Sequence, residues 1–496
     1  MISNSVAGNN KSGSMLRSLQ PKIKSLFIKK ISGLNNKKEL KKLINSSAAF
    51  GFPAVINLLS LLVFTRILSL ENYGLLSLTL ISVELLQGVA FNWVKMSMMR
   101  FYKEDDKTSS LTIGLAFNLA ITLVLLTVIS FVLIFSERFG AQNANLISLV
   151  GILSIGRGFC NYLQDYIRIS NSNLNKYTVI TVLSNASYYL PAIVYVLVNK
   201  TQNIYEILLF QAGGIFTFLF IFLIGYLTTL EITSKRVKQF FSVIISDWKN
   251  QFRKYFEDNK SIYTGFLKYG LPLIIVAVSA SMFVRIDRFI IEHNVGLKEL
   301  GAYSAAFSLS NLLISSFFTV LTLPTYPEIL KKLNQGETEQ AKLIHNRNGS
   351  IILAVAVPLV LFSAIFNTFL CQIIFGEKGI EISLLFPLVV LGTFLYNYKV
   401  HYFDQIFQFC HKTNIYMLLG ILIGCGHFIL AYKLSALWGA KGVAYSGIIL
   451  NLLSIVFIYF YSLKHFKITF NKRLCLALFS LLIISSGVWE IKNYLF

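Results

Sequence analysis

The chain has 496 residues, of which 55% are hydrophobic and 14% charged, with a mean hydropathy of +0.63 and a formal net charge of +22. That is far more apolar than a soluble domain. Five cysteines without a CxxC spacing (Cys160, Cys371, Cys410, Cys425, Cys475) indicate neither a zinc site nor a disulfide framework.

The first element is an arm, residues 1–45. Its first twenty residues are rich in Ser, Asn and Gly and are expected to be disordered. The arm holds ten Lys or Arg against one acid, Glu39. No apolar core followed by a small-residue cleavage site precedes the first span, which is expected to serve as its own uncleaved anchor. Leu26, Phe27, Ile31 and Leu34 form one apolar stripe. Such an arm either lies on anionic headgroups or is a solvated basic tail that sets orientation.

Apolar runs near the length of a bilayer crossing then follow one another. They place spans at 47–67, 73–95, 111–135, 144–163, 177–198, 206–228, 264–290, 301–324, 350–374, 381–400, 414–433, 439–462 and 474–490. Two stretches are alike. Gly51–Ile67 reads GFPAVINLLSLLVFTRI and Gly270–Ile286 reads GLPLIIVAVSASMFVRI. With a shift of 219 they agree at Gly51/Gly270, Pro53/Pro272, Ser60/Ser279, Phe64/Phe283, Arg66/Arg285 and Ile67/Ile286. A second echo follows each copy, ENYGLLS from Glu71 and ELGAYS from Glu299. The copies open spans one and seven, an even number apart, and so run the same way through the membrane. The expected fold is therefore all-α and polytopic, with two six-helix lobes related by a parallel repeat. The lobes are residues 46–229 and 264–463, joined by a linker at 230–263 and followed by an extra helix within 464–496.

Charge orients this arrangement. With the arm inside, the inside loops carry 23 Lys and Arg and the outside loops six. The positive charge then lines one membrane face, so a nucleic-acid partner is not implied.

Ionisable residues within the spans need a reason, because a charge at mid-membrane costs about 2.5–3.5 kcal/mol even on the translocon scale. Glu84 lies in span two and Arg157 in span four; Glu84 is either the structural partner of Arg157 or a protonatable coupling site. Arg66 and Arg285 sit toward the outer ends of the repeated spans, and Arg66 either snorkels to headgroups or faces the lumen. Arg285 and Arg288 share a helix face with Asp287 between them. His427, in GCGHFIL, reads as a packed, hydrogen-bonded histidine. Asn161, Tyr162, Asn185, Tyr188 and Tyr189 are either interhelical glue or sugar contacts. His401, Asp404 and His411 lack metal-ligand spacing, and no Walker loop or GxGxxG is present. Short outer loops argue against an enzyme, and no cofactor is expected.

FTRILSLENYGLLSLTL at Phe64–Leu80, MRFY at Met99–Tyr102, RIDRFIIEHNVGLKELGAYSAAFSLSNLL at Arg285–Leu313 and LPTYPEILK at Leu323–Lys331 together carry a resemblance. The chain is similar to the Wzx-type polysaccharide, or O-antigen, flippases of the multidrug/oligosaccharidyl-lipid/polysaccharide (MOP) exporter superfamily. The resemblance extends from about residue 45 onward, and a thirteenth span departs from the common twelve or fourteen. It implies two lobes in a V around a central cavity, in a bacterial cytoplasmic membrane. It also implies transfer of a polyprenyl-diphosphate-linked oligosaccharide to the outer leaflet, with a polysaccharide polymerase and glycosyltransferases as partners. Arg157, Arg285, Arg288 and Arg66 are then the candidate cationic lining, and Glu84 and Asp287 the candidate coupling or ion-pair residues. A multidrug exporter of the cation-antiporter branch is the alternative, although this chain offers few acids against its arginines.

Overall fold

The computed structural model describes residues 37–102, 107–170, 174–229, 260–410 and 412–468. Every regular element among them is helical. Most of the basic arm with its apolar stripe, nearly all of the linker, His411, Cys475 and the thirteenth span lie outside the described residues.

In the first half, helix α1 runs over Lys37–Ile67, and α2 (Leu70–Ala90) continues past a one-residue break at Phe91 into α3 (Asn92–Phe101). Helices α4 (Lys107–Ile134), α5 (Ala141–Ser170), α6 (Leu174–Asn199) and α7 (Ile204–Thr229) follow. In the second half come α8 (Lys260–Asn294), α9 (Leu297–Asn334), α10 (Thr338–Ile365), the short α11 (Asn367–Phe375), α12 (Phe386–Tyr398) and α13 (Thr413–His465). Among the described residues eight helices are long and apolar enough to cross a bilayer. A ninth is added if Asn367–Ser383 and Phe386–Phe409, bent by 95°, form one broken span. The chain is a multi-pass membrane protein.

One boundary agrees with expectation and one departs from it. The 53 residues of α13 would reach about 80 Å if straight, more than twice the hydrocarbon core. It folds back at Trp438 and Gly439, where the glycine takes φ +57°. Ser446 Oγ consequently lies 2.9 Å from His427 Nδ1, so the two halves run side by side as the two expected spans. Glu299 supports the bend by accepting a 2.9 Å hydrogen bond from the Ala440 N–H, an anion at the start of the returning helix. The expected span 350–374, by contrast, is interrupted. Helix α10 stops at Ile365, and Asn367 accepts from the Thr368 N–H (2.7 Å) while donating to Ser383 O (3.1 Å). An asparagine that engages nearby backbone groups competes with helix continuation.

The packing repeats as the sequence does. Helix α1 packs on α6 as α8 packs on α13, α2 on α5 as α9 on α12, and α4 on α5 as α10 on α12. Between the halves, α2 lies along α9. At their crossing stand Gly74 and Gly301, the glycines of the two echoes. A Cβ on Gly74 would overlap Leu297 O, and a Cβ on Gly301 would overlap Leu70 O. Position 297 stands to 301 as 70 stands to 74, so the contact is reciprocal, as at a two-fold axis. A second cross-lobe contact stacks Phe101 and Phe117 on Phe266, at 5.6 and 5.9 Å between ring centroids.

Beside the glycine crossing the halves exchange caps. Arg66 of α1 donates to Ile374 O (3.0 Å) and Ile373 O (2.5 Å) at the end of α11. Lys378 donates to Thr65 O (3.0 Å), Arg66 O (3.0 Å) and Leu68 O (2.5 Å) at the end of α1. Each cation meets the carbonyls left unpaired at a helix C-terminus, where the macrodipole is negative. Lys378→Met is expected to weaken this junction by about 1 kcal/mol, read as a lower thermal midpoint of the detergent-solubilised protein, and Lys378→Arg is expected to retain most of it.

Candidate functional site

Between α1, α2, α8 and α9 lies a cavity of about 960 Å³. Along α1 its wall extends from Gly51 to Phe64, about 20 Å at 1.5 Å per residue. Its lining is mostly apolar, and among it Asn57, Ser60, Ser77, Ser308, Asn311 and Ser315 offer hydroxyl and amide groups. Three guanidinium groups, from Arg157, Arg285 and Arg288, and one carboxylate, Glu84, line the same cavity.

The charged residues are arranged in two clusters. Glu84 Oε2 lies 3.1 Å from Arg285 Nη2, and Glu84 Oε1 lies 3.7 Å from Arg157 Nη1. One carboxylate on α2 thus bridges an arginine of each half. The Arg157 guanidinium also stands 4.9 Å over the Tyr188 ring. Arg288 lies 4.0 Å over Phe307 and 5.6 Å over Tyr303, which supports a cation electrostatically while leaving its donors in the plane of the fork. A lining with three guanidinium groups to one carboxylate, in an apolar surround, is a site that favours an anion.

Residues 197–384 match the family described as "Polysaccharide biosynthesis protein". The lipid II flippase MurJ, in an inward closed conformation, superposes with a TM-score of 0.62 at 15% identity, covering 91% of this chain and 98% of that one. An inward-facing multidrug resistance MATE transporter of the MOP superfamily superposes with a TM-score of 0.55 at 14% identity, covering 89% and 98%. The resemblance to Wzx-type polysaccharide flippases is borne out. The fold is that of the MOP superfamily. A third MOP transporter, from Pyrococcus furiosus and described as having a binding pocket of reversed polarity, superposes with a TM-score of 0.50 at 12% identity, covering 84% and 93%. No curated protein sequence matches the chain.

Within this MOP-type fold the remaining candidates take other places. Arg66 does not line the cavity; its guanidinium is turned to the α11 carbonyls. Asp287 is buried behind the wall, where Oδ1 lies 2.5 Å from His427 Nε2 and Oδ2 accepts from Tyr303 Oη at 2.6 Å. Tyr189 lines the cavity. Tyr162 is buried with Trp93, Val94, Met98 and Phe266, and Asn185 donates to Thr181 O of its own helix. Asp404 pairs with Lys399 at 2.8 Å, and His401 Nδ1 lies 3.0 Å from Thr322 Oγ1. Among the described residues no group of three His, Cys, Asp or Glu could hold a metal ion.

The residues that sequence reading did not connect are Tyr303, Ser446 and the Asp287–His427 pair. Tyr303 sits in the second echo and His427 among small residues of α13. Neither pattern indicates that α8, α9 and α13 bring them together.

Proposed function

We propose that the chain moves a polyprenyl-diphosphate-linked oligosaccharide across the bacterial cytoplasmic membrane by alternating access, with its amino terminus on the cytoplasmic side. One observation carries this reading: Arg157, Arg285 and Arg288 converge on a single cavity between two repeated lobes. A diphosphate presents pairs of anionic oxygens that the planar fork of a guanidinium group can grip two at a time. The hydroxyl and amide groups of the lining suit the first sugars, and its apolar residues suit the start of a prenyl chain. MurJ, described as a lipid II flippase, shares the fold, and the match to a polysaccharide biosynthesis family points to a glycan. The excess of Lys and Arg on one face supports the orientation.

A membrane potential supplies a drive. It is worth about 2.3 kcal/mol per elementary charge per 100 mV and pushes an anion out of a negative interior. Cationic drugs fit this cavity poorly, because its only lining carboxylate among the described residues, Glu84, is already held by two arginines.

The reading is tested by reconstituting the full-length protein in vesicles that carry a fluorescent polyprenyl-diphosphate sugar and following its loss from one leaflet. Transfer above that of protein-free vesicles supports the proposal. Transfer absent there, alongside uptake of a cationic dye, overturns it. Glu84→Gln serves as an internal check. It removes the negative charge from the wall, so inorganic pyrophosphate is expected to bind several-fold more tightly, measured by calorimetry on the purified protein.

A further inference from the structure

Along α6 and the start of α7 runs a groove of about 590 Å³ that shares no lining residue with the arginine cavity. Ala186, Leu190, Pro191, Val194, Val198 and Phe210 are among its walls. From residue 186 to residue 199 the helix rises about 20 Å, against about 15 Å for the hydrocarbon of one leaflet. The groove therefore crosses one leaflet and ends beyond it, at the α6–α7 turn. That turn lies beside the end of α1, where Gln202 donates to Ile67 O, on the outer side in the orientation proposed above. Fixed contacts shape the groove. Pro191 has no N–H to offer Ser187 O, and α7 presses there instead, since a Cβ on Gly214 would overlap that oxygen. Toward the turn the Tyr195 ring stacks on Phe210 at 4.0 Å between centroids. Leu190, Val194 and Val198 line the groove and remain exposed.

Tyr195 joins the groove to a polar cluster at the turn. Its hydroxyl donates to Glu206 Oε2 at 2.8 Å, Thr201 Oγ1 donates to the same oxygen at 2.9 Å, and Asn203 Nδ2 donates to Oε1 at 3.1 Å. An ionised carboxylate accepts about four such bonds, so Oε1 has capacity for one more donor. Lys200, the neighbour of Thr201, is exposed and enters no ion pair or side-chain hydrogen bond among the described residues. A cation and a carboxylate with spare acceptor capacity thus stand together at the polar end of an apolar groove. A headgroup that carries a phosphate beside a primary ammonium offers the complementary pair, the phosphate to lysine and the ammonium to the carboxylate. A purely anionic headgroup would meet Lys200 but face Glu206 as a like charge. A cationic amphiphile would leave Lys200 unanswered.

We propose that this groove is a binding site for one acyl chain of an aminophospholipid, whose phosphate meets Lys200 and whose ammonium meets Glu206. Within a bilayer the chain gains nothing by leaving water. What favours it is the close packing of a chain into a cleft whose walls would otherwise lack contacts, while the headgroup selects the lipid. The bound chain buttresses α6, which packs along α1, and α1 forms the wall of the arginine cavity from Gly51 to Phe64. The site is independent of what that cavity carries.

The test uses the full-length protein in vesicles doped with phosphatidylethanolamine that carries a photoreactive diazirine in mid-chain, or with phosphatidylglycerol bearing the same chain. Labelled peptides are mapped by mass spectrometry. Residues 119–134 of α4 serve as the reference, because Leu119, Leu123, Val124 and Phe131 are as exposed as the groove residues. With the phosphatidylethanolamine probe, residues 186–210 are expected to be labelled roughly fivefold or more above that reference, and with the phosphatidylglycerol probe much less. Lys200→Gln and Glu206→Gln should each lower the excess about two- to fivefold. Leu190→Trp, and separately Val194→Phe, should abolish it by filling the groove, with unchanged α4 labelling and helical content as the folding checks. Equal labelling of residues 186–210 and the reference overturns the proposal, because ordinary lipid labels every exposed face alike. An equal excess with both probes overturns the headgroup assignment, and an excess that survives both filling variants overturns the groove as its place.

Discussion

Gly301→Ala is expected to prevent the two lobes from meeting at the α2–α9 crossing. The added methyl would overlap Leu70 O, a backbone atom of a packed helix that cannot swing aside as a flexible side chain can. Overpacking of this kind typically costs about 1–3 kcal/mol. Set only against the arrangement in which the helices touch, that lowers its population roughly 5- to 150-fold. Gly74→Ala is expected to act alike, because its methyl would meet Leu297 O. Both substitutions disrupt one contact, so the double variant should lose less than the sum. Gly88 lies on the same helix, and a methyl added there would meet nothing within 4 Å. Gly88→Ala is therefore the matched control and is expected to be neutral or slightly stabilising. Spin labels at positions 71 and 298, in a background without native cysteines, report the result as a distance. Wild type and Gly88→Ala should show a short-distance population that Gly301→Ala and Gly74→Ala lose. An unchanged distance in Gly301→Ala would show that the crossing accommodates a side chain and is not a close-packed junction.

The second large effect concerns the cavity cations. Arg288→Gln and Arg157→Gln are each expected to weaken inorganic pyrophosphate binding by about 10- to 150-fold, since a hydrogen bond to a charged group contributes about 1.5–3 kcal/mol. Arg285→Gln should cost less, because Glu84 already neutralises that guanidinium at 3.1 Å. Arg66→Gln should leave binding unchanged, as its donors are turned to the α11 carbonyls. The expected order of loss is thus Arg288 and Arg157 first, Arg285 next and Arg66 last. Calorimetry on the purified variants measures it, with helical content by circular dichroism as the folding check. Equal losses at all four positions would point to a diffuse surface attraction rather than a site. Transport of the fluorescent lipid should fall in the same order.

Much of this architecture was legible in the sequence because lipid imposes simple rules. Each crossing must satisfy its own backbone hydrogen bonds, so its length and apolarity are visible residue by residue. The expected spans before the thirteenth fall on helices. Errors arose where a local side chain overrode hydropathy. Asn367 ends α10 within a run that reads as one apolar span, and apolarity alone could not show it. Among the charged residues, rarity in an apolar background was enough to single out Glu84, Arg157, Arg285 and Arg288. Rarity could not distinguish Arg66, which has the same chemistry and a repeat-related position yet serves as a helix cap.

What the chain determined by itself is the order and apolarity of its helices, together with the presence of charges that need partners, because those follow from transfer free energies of single residues. Which partner each charge finds was decided only by the packing of helices distant in sequence. Glu84 bridges Arg157 and Arg285 because α2 stands between α5 and α8, and Asp287 turns away from the cavity because α13 brings His427 to it. Hydropathy falls on one residue at a time, whereas a salt bridge or a shared proton depends on two or more side chains meeting within about 3 Å, and that meeting is a property of the folded bundle.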